Sequence, residues 1–259
     1  MSWLDPVRAA LDADHPRRAD RPTCDVFFRD DDAGWDDNRL RVLLDVFDHH
    51  RLVVDLAVIP IELTGSLVAE LTARARAGLV RLHQHGYAHV NHEVVGRKCE
   101  FGPTRRACDQ AADVAAGRRR MVDAFEDLVD PVFTPPWNRC EAETGDVLVA
   151  EGFQVLSRDV TAPRLDRPDL VEIPVTIDWY GHRKGVRWTR DELANRIAAG
   201  VAGGGPVGVM LHHAVTDDGE LSAIEDLLRL FAANAGIRTT TIQDLAADSA
   251  RPIAAGRRR

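Results

Sequence analysis

The strongest constraint on the fold is a repeated alternation between short apolar runs and amphipathic helical patterns. Residues 52–60 and 207–211 are almost entirely apolar, as in strands that are buried on both faces of a parallel sheet. Residues 40–47, in contrast, repeat apolar side chains at helical spacing. About seven or eight such strands alternate with helices. The pattern predicts parallel βα units, arranged either as an open doubly wound sheet or as a closed barrel.

The predicted elements fill most of the 259 residues and leave room for one sizeable core. The predicted strands are 24–29, 52–60, 79–84, 132–133, 153–157, 171–177, 207–211 and 237–241. The predicted helices lie near 3–13, 36–47, 64–76, 107–128, 141–152, 189–201 and 218–234, with one more after 241. We therefore expect an N-terminal helix and linker (1–23), a single α/β domain (24–248) and a basic tail (249–259).

Charge and cysteine content exclude several classes of partner. The net charge of −8 argues against nucleic acid or an anionic membrane surface as the main partner. The chain contains no run of 18 apolar residues and does not begin with a secretory pattern, so we expect no membrane insertion and a cytoplasmic location. The four cysteines form no CxxC pair, which favours reduced thiols. The sequence leaves the oligomeric state open.

Four of the ten histidines fall within residues 79–93. Residues 79–84 alternate apolar and polar side chains, as a short strand does. If the chain then turns into a helix, His85 and His89 lie one turn apart on the same face, with both imidazoles directed at one point. Two imidazoles suit a divalent metal that also takes a carboxylate ligand and keeps a position open for water.

Three adjacent carboxylates, Asp30, Asp31 and Asp32, follow the first predicted strand. Their mutual repulsion is explained if a cation neutralises them or if one of them acts as a base. The alternative, a cap for the next helix, is already supplied by residues 36–38. His85, Trp137, Asp178 and His212 also directly follow strands, and in a parallel sheet these positions meet at one face. The sequence therefore predicts a metal site at this face.

This order of motifs resembles the polysaccharide deacetylase family, the family 4 carbohydrate esterases. The resemblance covers residues 24–215. It rests on five segments: the Asp-rich strand end at 28–34, the HxxxH motif at 85–89, the Pro-Pro turn ending in Trp137, the Asp178-Trp179 pair, and the apolar strand that ends in His212. The resemblance implies a distorted (β/α) barrel of about seven parallel strands. It also implies one divalent metal, expected to be zinc, with cobalt or nickel as alternatives.

The same resemblance assigns a role to each matching residue. Asp32, His85 and His89 are the expected metal ligands. The general base is Asp31 by the family's adjacent aspartates, or Asp30, because residues 30 and 32 share a face of an extended strand; a turn that begins at Asp31 reverses that preference. The general acid is His212 or its neighbour His213.

Substrate-binding positions follow from the remaining motifs. A backbone N–H of Trp137 or Asn138 is expected to stabilise the oxyanion, because Pro136 has no N–H. His213 is a further candidate for contact with the substrate, and Asp178 and Trp179 either line the pocket or pack in the core.

Two parts of the chain depart from the family pattern. The family often has an arginine before the Pro-Pro pair that orients the catalytic aspartate, but Thr134 occupies that position. Either Arg29 or Arg139 replaces the arginine, or the pKa of the base is tuned in another way. Residues 91–104, which include His92, Glu93, Lys98 and Glu100, are either a substrate-recognition loop or an ordinary surface loop.

Three functions are compatible with these residues. The first is an N-deacetylase that hydrolyses the linear amide C–N bond of an N-acetyl group on an amino sugar, either a small molecule or a glycan. The second is a cytosolic amidohydrolase or deformylase acting on a non-sugar or cyclic amide. The third is a non-catalytic carbohydrate-binding relative, which is expected to lack a ligand or the acid.

Overall fold

Nine parallel strands form a curled sheet, with helices packed on its outer face. The structure is a computed structural model and describes residues 2–14 and 24–250. The strands of this sheet are β1 (Cys24–Ala33), β2 (Val54–Val58), β3 (Val80–His85), β4 (Val129–Thr134), β5 (Val155–Leu156), β6 (Val171–Glu172), β7 (Ile177–Asp178), β10 (Val207–Leu211) and β11 (Ile237–Thr239). Their order is β6-β5-β4-β3-β2-β1-β10-β7, and β11 pairs with β1 beside β10.

Eight α-helices are found in the described part of the chain. They are α1 (Asp5–Asp14), α2 (Asp37–His50), α3 (Gly65–Arg76), α4 (Ala107–Phe125), α5 (Ala142–Ala150), α6 (Arg190–Gly203), α7 (Asp218–Ala232) and α8 (Ile242–Ala250). Each corresponds to a helix predicted from the sequence. None of these helices is both long enough and apolar enough to span a membrane. Of the predicted linker and basic tail (249–259), residues 15–23 and 251–259 lie outside the described residues, whereas residues 249 and 250 belong to α8.

One extended segment closes the barrel. Residues 171–177, predicted as a single strand, instead form β6 and β7, which pair with opposite edges of the sheet. The N–H groups of Val171, Ile173 and Val175 donate to carbonyls of residues 154, 156 and 158. Those of Thr176 and Trp179 then donate to residues 208 and 210 on the other edge. The prediction of one strand was therefore wrong, while the predicted distorted barrel is confirmed.

Alternation along β1 divides the core into two layers. Val26 and Phe28 face outward and pack in the large cluster between sheet and helices. Phe27 points to the inside, where it packs with side chains of β4, β5 and β10, and with α8. Arg29 shares this inward direction and is completely buried. The inner layer therefore contains a guanidinium group directly below the carboxyl ends of the strands.

The sequence patterns missed two local features. A two-stranded antiparallel hairpin, β8 (His182–Arg183) and β9 (Val186–Arg187), follows β7 and was not predicted. The helical turn predicted after β3 is wrong, because residues 86–90 form an irregular loop. This loop carries His89, so its conformation matters for the site described next.

Candidate active site

A bulge at the end of β1 places two carboxylates side by side. The pairing of β1 with β2 shifts register between Asp30 and Ala33, and Asp32 has a φ of 70°. Strand alternation is broken there, so Asp31 and Asp32 both line the same cavity. Asp30 faces the outer side of the sheet. The alternation that favoured pairing Asp30 with Asp32 does not extend through the bulge.

Asp32, His85 and His89 meet at one point. Asp32 Oδ1 lies 3.1 Å from Nε2 of His85 and 3.1 Å from Nε2 of His89. His85 Nδ1 donates a hydrogen bond to the Thr134 carbonyl at 3.0 Å. Since a carbonyl can only accept, this contact assigns a proton to Nδ1 and directs Nε2 at Asp32, where it could ligate a metal.

A buried glutamate shapes the loop between the two histidines. Glu100 is completely buried, and its carboxylate accepts the N–H groups of Tyr87 at 3.2 Å and Ala88 at 2.8 Å. Gly86 has a φ of 55°, and a Cβ there would meet the Glu100 carboxylate and lie 2.5 Å from Pro136 Cδ. The chain thus reverses tightly and delivers His89, itself at a φ of 54°, to Asp32.

The His89 ring lies between two tryptophans. Its centroid is 4.6 Å from the ring of Trp35 and 4.5 Å from the ring of Trp137. His89 Nδ1 is buried and has no hydrogen-bond partner among the described residues. Packing of the ring therefore orients His89, whereas a hydrogen bond orients His85.

The charges at this point favour a cation. Burial raises the pKa of Asp32, but hydrogen bonds from His85 and His89 outweigh burial and hold the pKa below its ordinary value. Burial lowers the pKa of His85, but Asp32 and Asp31 reverse the effect and raise it. The ligand atoms of Asp32, His85 and His89 all lie within 4.8 Å of one another. One carboxylate and two imidazoles form a donor set that suits zinc, cobalt or nickel.

Arg29 holds Asp31 in a two-pronged ion pair. Its Nε donates to Oδ1 of Asp31 at 2.7 Å, and its Nη2 donates to Oδ2 at 2.9 Å. The other donors reach Ser157 Oγ at 2.8 Å and Asn138 Oδ1 at 2.7 Å. Both charges are buried, so the pair fixes the orientation of Asp31.

Thr134 and Arg139 do not contact Asp31. Thr134 Oγ1 is hydrogen-bonded to His83 Nε2 at 2.9 Å, and burial together with the charge of Arg29 lowers the pKa of His83. Arg139 donates to the Lys98 carbonyl instead. Of the two arginines expected to replace the missing one, Arg29 is the one that lies against Asp31.

Asp30 and His213 form a separate buried pair. Asp30 accepts the backbone N–H of His213 at 2.9 Å, and its other oxygen lies 2.6 Å from His213 Nδ1. His213 Nε2 lies 2.5 Å from the Trp35 carbonyl. Burial opposes ionisation of His213, but the negative Asp30 prevails and raises its pKa to about 9. Neither side chain lines the cavity, so their placement supports neither a base role for Asp30 nor contact of His213 with substrate.

His212 lines the same cavity as Asp32, His85 and His89. Its Nδ1 is buried and has no hydrogen-bond partner among the described residues. Asp178 lines a neighbouring cleft and accepts the Tyr180 N–H at 2.9 Å; burial raises the pKa of Asp178, and His212 opposes that shift. Trp179 packs edge-on against Trp3 and donates to Glu220 at 2.7 Å, so its placement is that of a core residue.

The cavity has a volume of about 500 Å³. It is lined by Asp31, Asp32, Trp35, His85, His89, Asn91, Lys98, Trp137, Asn138 and His212. Trp137 and Asn138 also line the neighbouring cleft of about 1010 Å³. The sequence did not single out Trp35 or Asn91. It named Glu100 without a role, and only its position in a loop beside the histidine motif hinted at one.

Known proteins resemble this chain in structure but not detectably in sequence. The sequence matches no protein-family model, and it matches no curated protein. Among solved structures, a protein from Mycobacterium smegmatis described as a polysaccharide deacetylase has a TM-score of 0.71 at 18% identity, over 88% of this chain and 91% of that one.

Two further structures share the fold. The allantoinase Puue has a TM-score of 0.67 at 12% identity, over 90% of this chain and 92% of its own. A family 4 acetyl xylan esterase from Clostridium thermocellum, solved with a cobalt ion, has a TM-score of 0.56 at 16% identity, over 88% and 93%. At these identities the likeness establishes the fold alone. It confirms that the chain has the polysaccharide deacetylase fold, as its motifs predicted.

Proposed function

We propose that this chain is a metal-dependent hydrolase that removes the N-acetyl group from an amino sugar. One observation carries the proposal: Asp32, His85 and His89 direct their ligand atoms to one point in a cavity that Asp31 and His212 also line. This combination supplies a metal site, a base and an acid, the three parts that amide hydrolysis needs. The polysaccharide deacetylase fold supports a carbohydrate amide as the substrate.

The donor set fits a divalent metal. Nε2 of His85 faces Asp32 because the opposite ring nitrogen is engaged by Thr134, and the Asp32 carboxylate supplies negative charge. Asp32, His85 and His89 would hold the divalent ion, which would supply Lewis acidity to polarise an amide carbonyl and lower the pKa of water. Zinc is our first choice for the ion.

Asp31 is the proposed general base. Its carboxylate lines the cavity one residue before Asp32, and the Arg29 guanidinium holds it in a fixed orientation. From this position it accepts the proton of the attacking water. Asp30 is already bonded to His213 on the other side of the sheet, so we assign the role to Asp31.

His212 is the proposed general acid. An amine leaves poorly unless it is protonated. Among the described residues, His212 is the one histidine that lines the cavity besides the proposed metal ligands. Its unpartnered Nδ1 and the nearby charge of Asp178 are consistent with a group that exchanges a proton. His213 is enclosed by Asp30 and Trp35 and does not fit this role.

The Trp137 N–H is the proposed donor to the oxyanion. The Asn138 N–H donates to the Pro135 carbonyl at 2.9 Å, which removes it from the two candidates. Trp137 lines the cavity and has a φ of 56°. Strained backbone of this kind is common where a structure aims a group at a reacting atom.

Metal analysis combined with product detection tests the proposal. The purified chain should hold one divalent ion per molecule and release acetate from N-acetylglucosamine or its oligomers. Chelation should abolish acetate release, and added zinc should restore it. A chain that binds metal but releases no acetate from any N-acetylated sugar would overturn the assignment.

Hydrolysis of a cyclic or non-sugar amide is the second candidate. The similarity to the allantoinase Puue favours it, as does the Thr134–His83 pair at the position where the sugar deacetylases often have an arginine. A screen for ring opening, formate and acetate separates the two candidates. A non-catalytic relative is disfavoured because every proposed ligand and a proposed acid are present.

A further inference from the structure

We propose that the substrate carries an oxyanion, a phosphate or a carboxylate, which binds to Arg97, Lys98 and Arg139 beside the cavity. This inference rests on the proposed function and adds to it the chemical class of the substrate. Lys98 lines the catalytic cavity, and Arg97 and Arg139 line the adjoining cleft. Trp137 lies between them, with Lys98 Nζ 5.9 Å from its ring centroid.

The three cations lack carboxylate partners. No ion pair joins Arg97, Lys98 or Arg139 to an acidic group of the described residues. Burial and the neighbouring Arg97 guanidinium lower the pKa of Arg139, and none of the described carboxylates offsets them. In a chain with a net charge of −8, like charges left together at the mouth of a cavity are unusual. A bound anion would remove their repulsion.

The acidic groups that line the same cleft are mostly occupied. Glu93 accepts hydrogen bonds from Thr104, and Asp159 accepts the Thr161 N–H at 2.8 Å. Asp178 accepts the Tyr180 N–H, which leaves Glu141 as the remaining carboxylate on this wall.

A further guanidinium on the cleft wall has an unused donor. Arg158 is only 4% exposed, and it pairs through Nη2 with Glu172. Its Nε, in contrast, is buried and has no hydrogen-bond partner among the described residues. A guanidinium group presents its donors as a planar fork that matches the oxygens of phosphate and carboxylate.

A backbone carbonyl holds the Arg139 side chain, and backbone contacts fix the loop that carries Arg97 and Lys98. Arg139 Nη1 donates to the Lys98 carbonyl at 2.8 Å, and Cys99 Sγ lies 3.4 Å from the Arg139 carbonyl. The Glu141 N–H donates to the Phe101 carbonyl. The loop before Phe101 and the turn after Trp137 are thus joined by hydrogen bonds. Because this backbone is already ordered, less conformational entropy is lost when an anion binds.

A comparison of neutral and anionic sugars tests the inference. The full-length metal-loaded chain is assayed with N-acetylglucosamine, N-acetylglucosamine 1-phosphate and N-acetylmuramic acid, with acetate release as the readout. Binding of the same three probes to Asp31→Asn protein is measured by calorimetry, independently of turnover. We expect at least tenfold tighter binding of one anionic sugar, with a preference that weakens at high salt. The better of the two anionic probes identifies the oxyanion.

Substitution of the cations provides the second arm. Arg97→Gln combined with Lys98→Gln removes two charges. Neither side chain donates a hydrogen bond to another described residue, so folding should be preserved. The preference for the anionic over the neutral sugar should fall about tenfold. Arg119→Gln is the matched control: Arg119 is exposed on α4 and lines neither cavity.

The outcomes separate this inference from the proposed function. Equal binding of all three sugars, or an unchanged preference in the double variant, overturns the anion site even if acetate is released. A preference for the anionic sugar that depends on Arg97 and Lys98, without release of acetate, supports the anion site and overturns the deacetylase.

Discussion

Replacing Glu100 with glutamine is expected to weaken metal binding without touching a metal ligand. The two Glu100 oxygens accept the N–H groups of Tyr87 and Ala88, and this contact holds the loop that ends at His89. Glutamine has the same shape but only one accepting oxygen. One N–H therefore loses its acceptor and faces the amide NH₂ group.

The size of the effect follows from that lost contact. A hydrogen bond to a charged group contributes about 1.5–3 kcal/mol, and about 1.4 kcal/mol corresponds to a tenfold change in affinity. His89 reaches Asp32 only along the path that Glu100 stabilises. If the whole free energy of the lost hydrogen bond is subtracted from metal binding, the Kd for zinc should rise about 10-fold to 150-fold. Other groups that orient metal ligands have effects of similar size.

Competition with a chromophoric chelator measures the zinc affinity, and circular dichroism verifies that each variant is folded. Glu93→Gln is the matched control, because Glu93 lies in the same loop but bonds to Thr104 and has no hydrogen bond to residues 85–89. A folded Glu100→Gln protein with an unchanged Kd would refute the reasoning. It would mean that ring packing by Trp35 and Trp137 alone positions His89.

Five further substitutions test the site and the Asp30–His213 pair beside it. Asp31→Asn should keep metal and lose acetate release, whereas Asp30→Asn should retain measurable turnover; equal rates would contradict the choice of base. His89→Ala should lose metal and activity together, and metal analysis showing full stoichiometry would exclude it as a ligand. His212→Ala should slow substrates with poor leaving groups most, and a uniform loss across leaving groups would argue against the acid role. The pKa of His213 in the folded protein is about 9, above the ordinary 6.5. Its pair with Asp30 should therefore stabilise the fold fully below pH 6.5, and this stabilisation should be lost between pH 6.5 and 9, a decline on the order of 3 kcal/mol in the free energy of unfolding by urea. His213→Gln should flatten the decline, and an identical pH profile in the variant would contradict the reasoning.

Much of the fold was predictable because most strands and helices have recognisable patterns in short stretches of sequence. The apolar run of β10 and the capping box of α6, in which Thr189 and Glu192 bond reciprocally, are both readable from short stretches. Parallel strands then place their carboxyl ends at one face of the sheet, regardless of the conformation of the loops. This explains why a cavity lined by Asp32, His85 and His212 could be anticipated.

The features that were not predictable depend on distant partners. The conformation of the loop from Gly86 to His89 depends on Glu100, which lies further along the chain. The sequence of the loop alone therefore predicted a helical turn, which is wrong. The bulge at Asp31 and Asp32 is set by pairing with β2. The division of residues 171–177 into β6 and β7 depends on where the barrel closes, a property of the whole sheet.

Arg29 and Asp31 are two residues apart on one strand, and this proximity has a mechanical consequence. The guanidinium that orients the proposed base is tethered to it by only two peptide units, so their mutual alignment does not depend on how β4 slides or tilts. A substitution that shifts the Pro-Pro turn should therefore disturb the Trp137 N–H and the bond from Arg29 to Asn138, while the two bonds from Arg29 to Asp31 stay within one strand. In this chain, the contacts that aim the base lie within one strand, and the turn is joined to them through Asn138.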